Sequence, residues 1–205
     1  MNTTPTPVTP TPSPVPPPTL MGIEVFDSLD LPMILVFEGG FTDNPKDHGG
    51  RTNKGIIQRE YDKYRQNKSL PLNDVKNISD TEVRDIYLNQ YWLPSKCNQM
   101  PAKVSTAVFD TSVNCGQSRS IKTLQQAIGA VVDGIIGNET LTKLKNYDPL
   151  DLSNKFLDKK EAFYRGIVAN NPDQVEFLNG WLRRTKYVRD FVNGVKTLAQ
   201  IKATW

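Results

Sequence analysis

Apolar residues at helical spacing fill most of this chain, and this pattern limits the fold more than any other feature. Leu31, Ile34 and Leu35 form the first such stripe, and Pro32 suits the first turn of a helix. Asp27 and Ser28 precede it as residues able to cap a helix. Further helices are predicted at 79–93, 101–116, 118–128, 138–145, 150–168 and 175–192. Strand patterns are sparse, so we predict a mainly α fold.

A polar loop interrupts the helical pattern after Gly39 and Gly40, which end the first helix because glycine accepts positive φ. Residues 41–52 are rich in Gly, Asp, Asn and Pro, which indicates a turn-laden loop or a small β-hairpin. We expect any sheet to lie in this loop. The next helix is predicted to begin around Gly55 and to continue through Tyr64.

The first 20 residues, MNTTPTPVTPTPSPVPPPTL, are Pro/Thr low-complexity sequence with no apolar face to bury. We interpret 1–20 as an extended or disordered tail, either a plain spacer or a tether to a larger particle or carrier protein. The remainder divides into a first region, 21–116, and a second helical region, 117–205. We expect both to pack into one globular unit.

The overall composition excludes several classes of protein. A formal net charge of +3 is too small to indicate a nucleic-acid partner, although it suits an anionic surface. No apolar run is long enough to span a membrane, and no signal peptide is recognised. Cys97, Cys115 and the single histidine, His48, make neither a disulfide framework nor a metal site. We expect two free, partly buried thiols, or one bridge in an oxidising compartment, and no cofactor.

Glu38 is the strongest candidate for a catalytic group. It completes the first apolar stripe at the end of its helix, where a carboxylate loses hydration without an evident gain in stability. An apolar setting disfavours a charged carboxylate, and a protonated one can donate to a glycosidic oxygen near neutral pH. The alternative is a surface glutamate at a frayed helix end.

Two polar residues of the loop extend this hypothesis. Asp47, nine positions after Glu38, is expected to stay ionised and to orient or deprotonate a water molecule. Thr52 offers a hydroxyl that holds the same water, or else caps the next helix. The alternative for Asp47 is an ordinary Asx-turn residue.

The run EGGFTDNPKDHGGRTNKGI, 38–56, resembles the signature of glycoside hydrolase family 108, and its order of Glu, Asp and Thr is also similar to that of phage-type lysozymes. YWLP (91–94), FDTSVNCG (109–116) and LQQAIGAVVDGIIGNETL (124–141) agree with the family, and the last resembles its peptidoglycan-binding region. The resemblance covers nearly all of 31–187. It implies a lysozyme-like fold with a small loop or hairpin after the catalytic helix. This sequence departs from the family pattern at His48 and near Cys115. His48 is not expected to be catalytic.

Sugar-binding clefts present flat aromatic faces and amide groups, and four residues near these motifs qualify. The candidates are Tyr91, Trp92, Asp110 and Asn114. Tyr91 and Trp92 also suit plain core packing, because they end an amphipathic helix. Asp133 and Gly134 read more simply as a turn than as a wall contact.

The resemblance implies a muramidase that cleaves the β-1,4 bond between N-acetylmuramic acid and N-acetylglucosamine in peptidoglycan. Glu38 would be the general acid, and Asp47 and Thr52 would position the attacking water. The alternatives are a lytic transglycosylase and a non-catalytic wall-binding module of a phage or injection particle. We expect the protein to act on the periplasmic wall, either after release from the cytoplasm or as part of such a particle.

Overall fold

The computed structural model describes residues 22–43 and 50–205, and most of their regular structure is helical. The helices are α1 (Ile23–Val25), α2 (Leu31–Glu38), α3 (Gln58–Asn67), α4 (Asp80–Tyr87), α5 (Ala102–Cys115), α6 (Gln117–Ile128), α7 (Asn138–Leu144), α8 (Pro149–Asn170), α9 (Val175–Val192) and α10 (Leu198–Thr204). Turns of π-helix at Phe26–Asp30 and Leu88–Trp92 extend α1 and α4. Short 3₁₀ helices lie at Val75–Asn77, Cys97–Gln99 and Pro172–Gln174. The prediction of a mainly α fold is confirmed.

A two-stranded antiparallel hairpin lies between α2 and α3, slightly later in the chain than expected. Strands β1 (Thr52–Asn53) and β2 (Ile56–Ile57) pair through a two-residue turn. Both turn residues have positive φ, 50° at Lys54 and 77° at Gly55, as the favoured hairpin turns require. The helix predicted to begin around Gly55 therefore begins at Gln58, because the Lys54–Gly55 pair makes a hairpin turn.

The helical segment that carries Glu38 begins earlier than predicted. It starts at Ile23 and passes through the π turn into α2, so Asp27 and Ser28 lie within it and do not cap it. Asp27 instead forms a bidentate ion pair with Arg84 of α4, with distances of 2.7 and 2.9 Å. Met33, Ile34 and Phe37 of α2 are buried, which fixes the face of the helix that ends at Glu38.

Helix α5 is the centre of the fold. Nine consecutive residues, 104–112, are buried in it, and it packs against α6, α8 and α9. The hydrophobic core is one cluster that includes Ile34 and Phe109 from the first region together with Leu124, Phe156 and Val188 from the second. A continuous apolar core places the residues of both regions around the end of α2.

The last helix, α10, was not predicted from the sequence, and it packs against α2. The Trp205 indole donates a hydrogen bond to the carbonyl oxygen of Phe37 at 3.3 Å, and the two rings meet edge to face. The carboxyl end of the chain thus supports the residue that precedes Glu38.

Several sequence predictions concern residues that the structure does not describe. The tail at 1–20, Asp47 and His48 lie outside the described residues. Within the described part of the chain, Cys97 and Cys115 are free thiols, as predicted, with Cys97 buried and Cys115 half-buried. No helix there is long and apolar enough to cross a membrane.

Candidate active site

A small cleft opens at the carboxyl end of α2 and has a volume of about 190 Å³. Glu38 and Glu60, the latter from the first turn of α3, both line it. Its apolar walls come from the hairpin, the α4 region and α5, through Ile56, Ile57, Ile86, Tyr87, Tyr91 and Val113. The cleft therefore places two carboxyl groups among apolar and aromatic side chains, the environment in which acid chemistry is tuned.

A chain of ion pairs leads from the carboxylate of Glu38 into the interior of the protein. Arg184 Nη1 of α9 donates to Glu38 Oε1 at 2.8 Å, and Arg184 Nε donates to Asp110 Oδ1 at 2.8 Å. Asp110 also pairs with Lys160 of α8. The side chains of Asp110 and Lys160 are fully buried, that of Arg184 is 9% exposed and that of Glu38 is 20% exposed. The exposed end of this chain of charges is thus Glu38.

The charges in this chain stabilise one another. Burial alone would raise the pKa of Asp110, but Arg184 and Lys160 hold it below its ordinary value. Burial would likewise lower the pKa of Arg184, and Asp110 and Glu38 raise it instead. Asp110 is therefore an ionised anchor that fixes the guanidinium of Arg184. Arg184 in turn fixes one oxygen of Glu38, whereas Oε2 has no hydrogen-bond partner among the described residues.

The hairpin lies directly against Glu38. A Cβ atom at Gly55 would stand 2.9 Å from both Cβ and Cγ of Glu38 and 2.5 Å from the Tyr87 hydroxyl. That hydroxyl donates to the carbonyl oxygen of Lys54 at 2.8 Å, which fixes the turn in place. Only a residue without a side chain allows this close approach, and the positive φ of Gly55 favours glycine as well.

Thr52 lies in β1, at the start of the same hairpin. Its hydroxyl donates to the Gly50 carbonyl oxygen at 3.1 Å, and its backbone exchanges two hydrogen bonds with Thr42. The alternative that Thr52 caps the next helix is wrong, because Ile57 occupies the position before α3. No hydrogen bond among the described residues joins Thr52 to Glu38. Its predicted role with water, and that of Asp47, stay predictions.

The structure corrects two of the four predicted sugar contacts. Trp92 is 1% exposed, and its indole donates to Asp30 Oδ2 at 2.8 Å, so it is a core residue. Asp110 is fully buried between Arg184 and Lys160. It therefore cannot contact a ligand and instead supports Arg184, which binds Glu38. Sequence spacing placed both residues near the site, but it did not distinguish the lining of the cleft from the layer beneath it.

The other two predicted contacts lie where a ligand has access to them. Tyr91 is half-buried and lines the cleft; burial, Glu60 and Glu38 together raise the pKa of its hydroxyl. Asn114 is exposed at the end of α5 and accepts a hydrogen bond from the Tyr164 hydroxyl through Oδ1. Its amide nitrogen has no protein partner in the described part of the chain and is free to donate to an acetamido oxygen.

Sequence reasoning missed two residues of this site. Arg184 lies far along the chain from Glu38, in a stretch rich in basic residues that is typical of a solvated helix face. Its burial, and with it the pairing to Asp110, depends on tertiary packing. Glu60 had a weak local signal, since an acidic residue in a first helical turn is ordinarily explained by the helix dipole.

The arrangement suits general acid catalysis. A carboxyl group with one oxygen fixed by Arg184 and the other without a hydrogen-bond partner among the described residues presents one oxygen to the cleft. Within 22–43 and 50–205, no group of three or more His, Cys, Asp or Glu side chains is arranged to hold a metal ion. A mainly helical protein whose catalytic-type glutamate ends a helix beneath a small hairpin is lysozyme-like in architecture.

Comparison with known proteins identifies the family. Residues 31–116 match the model described as glycosyl hydrolase 108, and residues 119–186 match a model described as "Predicted Peptidoglycan domain". SagA of Brucella abortus has a solved structure that is 30% identical to this chain, with a TM-score of 0.66. The alignment covers 80% of this chain and 91% of that one. No curated protein sequence matches the chain.

This chain belongs to the glycosyl hydrolase 108 family. It is a glycoside hydrolase with peptidoglycan as its partner, and the predicted resemblance is confirmed. The boundary between the two matched regions falls between α5 and α6. Glu38 lies in the first region, whereas Arg184, which holds it, lies in the second.

Proposed function

We propose that the protein is a muramidase that hydrolyses the β-1,4 bond between N-acetylmuramic acid and N-acetylglucosamine, with Glu38 as the general acid. The observation that carries the proposal is the setting of Glu38 in the cleft. Arg184 orients its carboxyl group through Oε1. Oε2, which has no hydrogen-bond partner in the described part of the chain, holds the proton that the leaving oxygen receives. Gly55 gives the hairpin its close approach to Glu38 and so limits how far the side chain turns.

Water activation is assigned to the polar loop. Asp47 supplies the base in this proposal on the strength of the sequence motif, because it lies outside the described residues. The position of Thr52 supports its part, since it belongs to the hairpin that lies against Glu38. Glu60 is a second carboxyl group in the same cleft, where it stabilises positive charge that develops on the sugar.

Tyr91 and Asn114 are the proposed sugar contacts. The Tyr91 ring lines the cleft and offers an apolar surface for a pyranose ring. Asn114 offers an amide donor at the exposed end of α5, next to Val113, which also lines the cleft. An acetamido group on either sugar is the natural partner for that amide.

Product analysis tests the proposed reaction. Purified peptidoglycan is digested with the full-length protein, and the soluble muropeptides are analysed by mass spectrometry. We expect hydrated products with N-acetylmuramic acid at the reducing end. A 1,6-anhydro product, lighter by one water, would instead identify a lytic transglycosylase. Binding to peptidoglycan without release of fragments would favour the non-catalytic module.

The stereochemistry of fresh product tests the role of Asp47. If Asp47 activates water as a base, the anomeric configuration inverts, whereas a nucleophilic carboxylate leads to retention through a covalent intermediate. NMR of the product before mutarotation distinguishes the two. Retention would overturn the assignment of Asp47 as a base.

A further inference from the structure

A second, larger groove lies between α6 and α8, in the region that matches the peptidoglycan domain. It has a volume of about 640 Å³. Arg119 and Gln126 line it from α6, and Lys159 and Phe163 line it from α8. Gly129 and Ala162 contribute small residues, so the groove stays open between the two helices. None of its lining residues overlaps with those of the cleft at Glu38.

Positively charged side chains line this groove, whereas the acidic side chains nearby are paired elsewhere. Its lining includes Arg119 and Lys159 and no acidic residue. In the described part of the chain neither cation forms a salt bridge. The acidic residues that flank Lys159 on α8, Asp158 and Glu161, are instead bound to Arg189 of α9, at 2.8 and 3.0 Å. The groove is therefore a cationic surface suited to carboxylates.

An ordered apolar rim borders the groove. The loop between α6 and α7 exposes Val131, Val132 and Ile135, by 63%, 44% and 68% respectively, and Val132 lines the groove itself. Exposed aliphatic side chains next to one another are typical of an interaction surface.

The side chain of Gln125 holds this loop in place. It is 1% exposed, donates to Asp133 Oδ1 and to the Ile135 carbonyl oxygen, and accepts from Gly134 N. The turn predicted at Asp133 and Gly134 therefore has a structural role. It presents the apolar rim in a fixed position, so little ordering is needed when a ligand binds.

We infer that this groove binds the stem peptide of peptidoglycan through its carboxylates. The inference rests on the proposed function for its ligand, the bacterial wall. Stem peptides combine free carboxylates with alanine methyl groups, which match the two cations and the apolar rim. A sugar ring fits less well, because the guanidinium of Arg119 stacks over Phe163, with Cζ 4.1 Å from the ring centroid, and covers one face of the ring. Binding here holds the enzyme on its polymeric substrate while Glu38 acts elsewhere.

Binding to purified sacculi tests the inference. The full chain carrying Glu38→Gln, which leaves the sacculi intact, is compared with the same chain carrying Arg119→Glu and Lys159→Glu. The matched control carries Lys103→Glu and Lys202→Glu, an equal change of charge at two exposed lysines away from the groove. We expect roughly tenfold weaker cosedimentation for the groove variant and little change for the control. Thermal unfolding verifies that both fold.

Peptide-free sacculi identify the ligand. After the stem peptides are removed with an amidase, the protein without the groove substitutions should bind as weakly as the groove variant binds intact sacculi. Equal binding of groove and control variants to intact sacculi would overturn the inference, as would undiminished binding after the peptides are removed. The proposed reaction is tested separately, because groove-dependent binding by a wild-type protein that releases no hydrated products would overturn only the proposed hydrolysis.

Discussion

At the scale of single residues, Gly55 is the position whose replacement disturbs Glu38 most directly. In Gly55→Ala the new Cβ would overlap Glu38 and the Tyr87 hydroxyl, and an alanine at φ 77° adds about 1–2 kcal/mol of backbone strain. We expect kcat to fall roughly tenfold to a hundredfold, because the acid is displaced from its substrate. The assay is release of soluble muropeptides from purified peptidoglycan.

Gly194→Ala is the matched control for that substitution. Gly194 has a similar φ of 71°, and no atom lies within 4 Å of its hypothetical Cβ. It should therefore cost stability through the same backbone strain and leave kcat unchanged. A Gly55→Ala enzyme with the kcat of wild type would show that the hairpin does not position Glu38.

Arg184 is the second residue whose role is directly testable. Arg184→Met removes the guanidinium that fixes Glu38 Oε1, so the carboxyl group loses its orientation in the cleft. The lost orientation should lower kcat roughly tenfold to a hundredfold. The measurement is kcat and KM on soluble glycan fragments.

Arg184→Lys separates the charge of this residue from its geometry. An ammonium group keeps the charge but does not reproduce the two-sided contact of a guanidinium with Glu38 and Asp110. It should therefore lower kcat although the positive charge is kept, because the carboxyl group of Glu38 is no longer held in one orientation. Arg184→Met leaves Asp110 with one cation and destabilises the fold. Arg184→Lys keeps the second cation and so serves as the control for that loss of stability. Wild-type kcat in both variants would refute a positioning role.

At the scale of helices, Asp30 joins three elements in the interior. It accepts hydrogen bonds from Trp92 at the end of the α4 segment and from Ser105 and Thr106 of α5. Burial raises its pKa to about 6, and the three donors oppose that rise without cancelling it. The contact fixes the start of α2 against α5, so it contributes to the placement of Glu38 at the opposite end of α2.

The raised pKa of Asp30 gives a pH dependence with a definite sign. Between about pH 4 and 6 the native state retains a proton that the unfolded chain has lost, so this group makes stability fall as pH rises. Asp30→Asn is nearly isosteric and removes the contribution. The free energy of unfolding of the variant, relative to wild type, should therefore increase between pH 4 and 6 by on the order of 2 kcal/mol. A difference that does not vary with pH would contradict the raised pKa.

The positions of the helices show which sequence patterns predict secondary structure well. Helices α4 and α5 lie within the ranges predicted for them, because the capping box of Ser79 and Glu82 and the glycine after α5, Gly116, are local signals. The hairpin was placed too early, since Lys54 and Gly55 were read as the approach to a helix. α10 was missed, although Thr197 and Gln200 form a capping box there.

At the scale of the whole molecule, the two regions matched by family models share one core and one chain of buried charges. We therefore expect a single unfolding transition, with the calorimetric enthalpy equal to the van't Hoff enthalpy. Differential scanning calorimetry of the full chain measures both. Two separate transitions would show that the regions are independent domains and that Arg184 contributes little to their union.

The organisation of the site explains why the sequence predicted only part of it. Glu38 follows from a local pattern, a carboxyl group on an apolar stripe before two glycines, and the family resemblance supports it. Arg184 and the buried position of Asp110 depend on how α5, α8 and α9 pack, which no local pattern reports. Trp92 illustrates the opposite error, because an aromatic residue near a cleft looks the same in sequence whether it lines the cleft or fills the core.

The most direct test of the account compares wild type with Glu38→Gln on purified peptidoglycan. Glutamine keeps the size and hydrogen-bonding capacity of the side chain but has no proton to donate to the leaving oxygen. We predict that release of hydrated muropeptides falls by roughly 10²–10⁴-fold, whereas Glu24→Gln, at an exposed glutamate of α1, leaves it unchanged. Hydrated products released by Glu38→Gln at the rate of wild type would contradict the assignment of Glu38 as the catalytic acid.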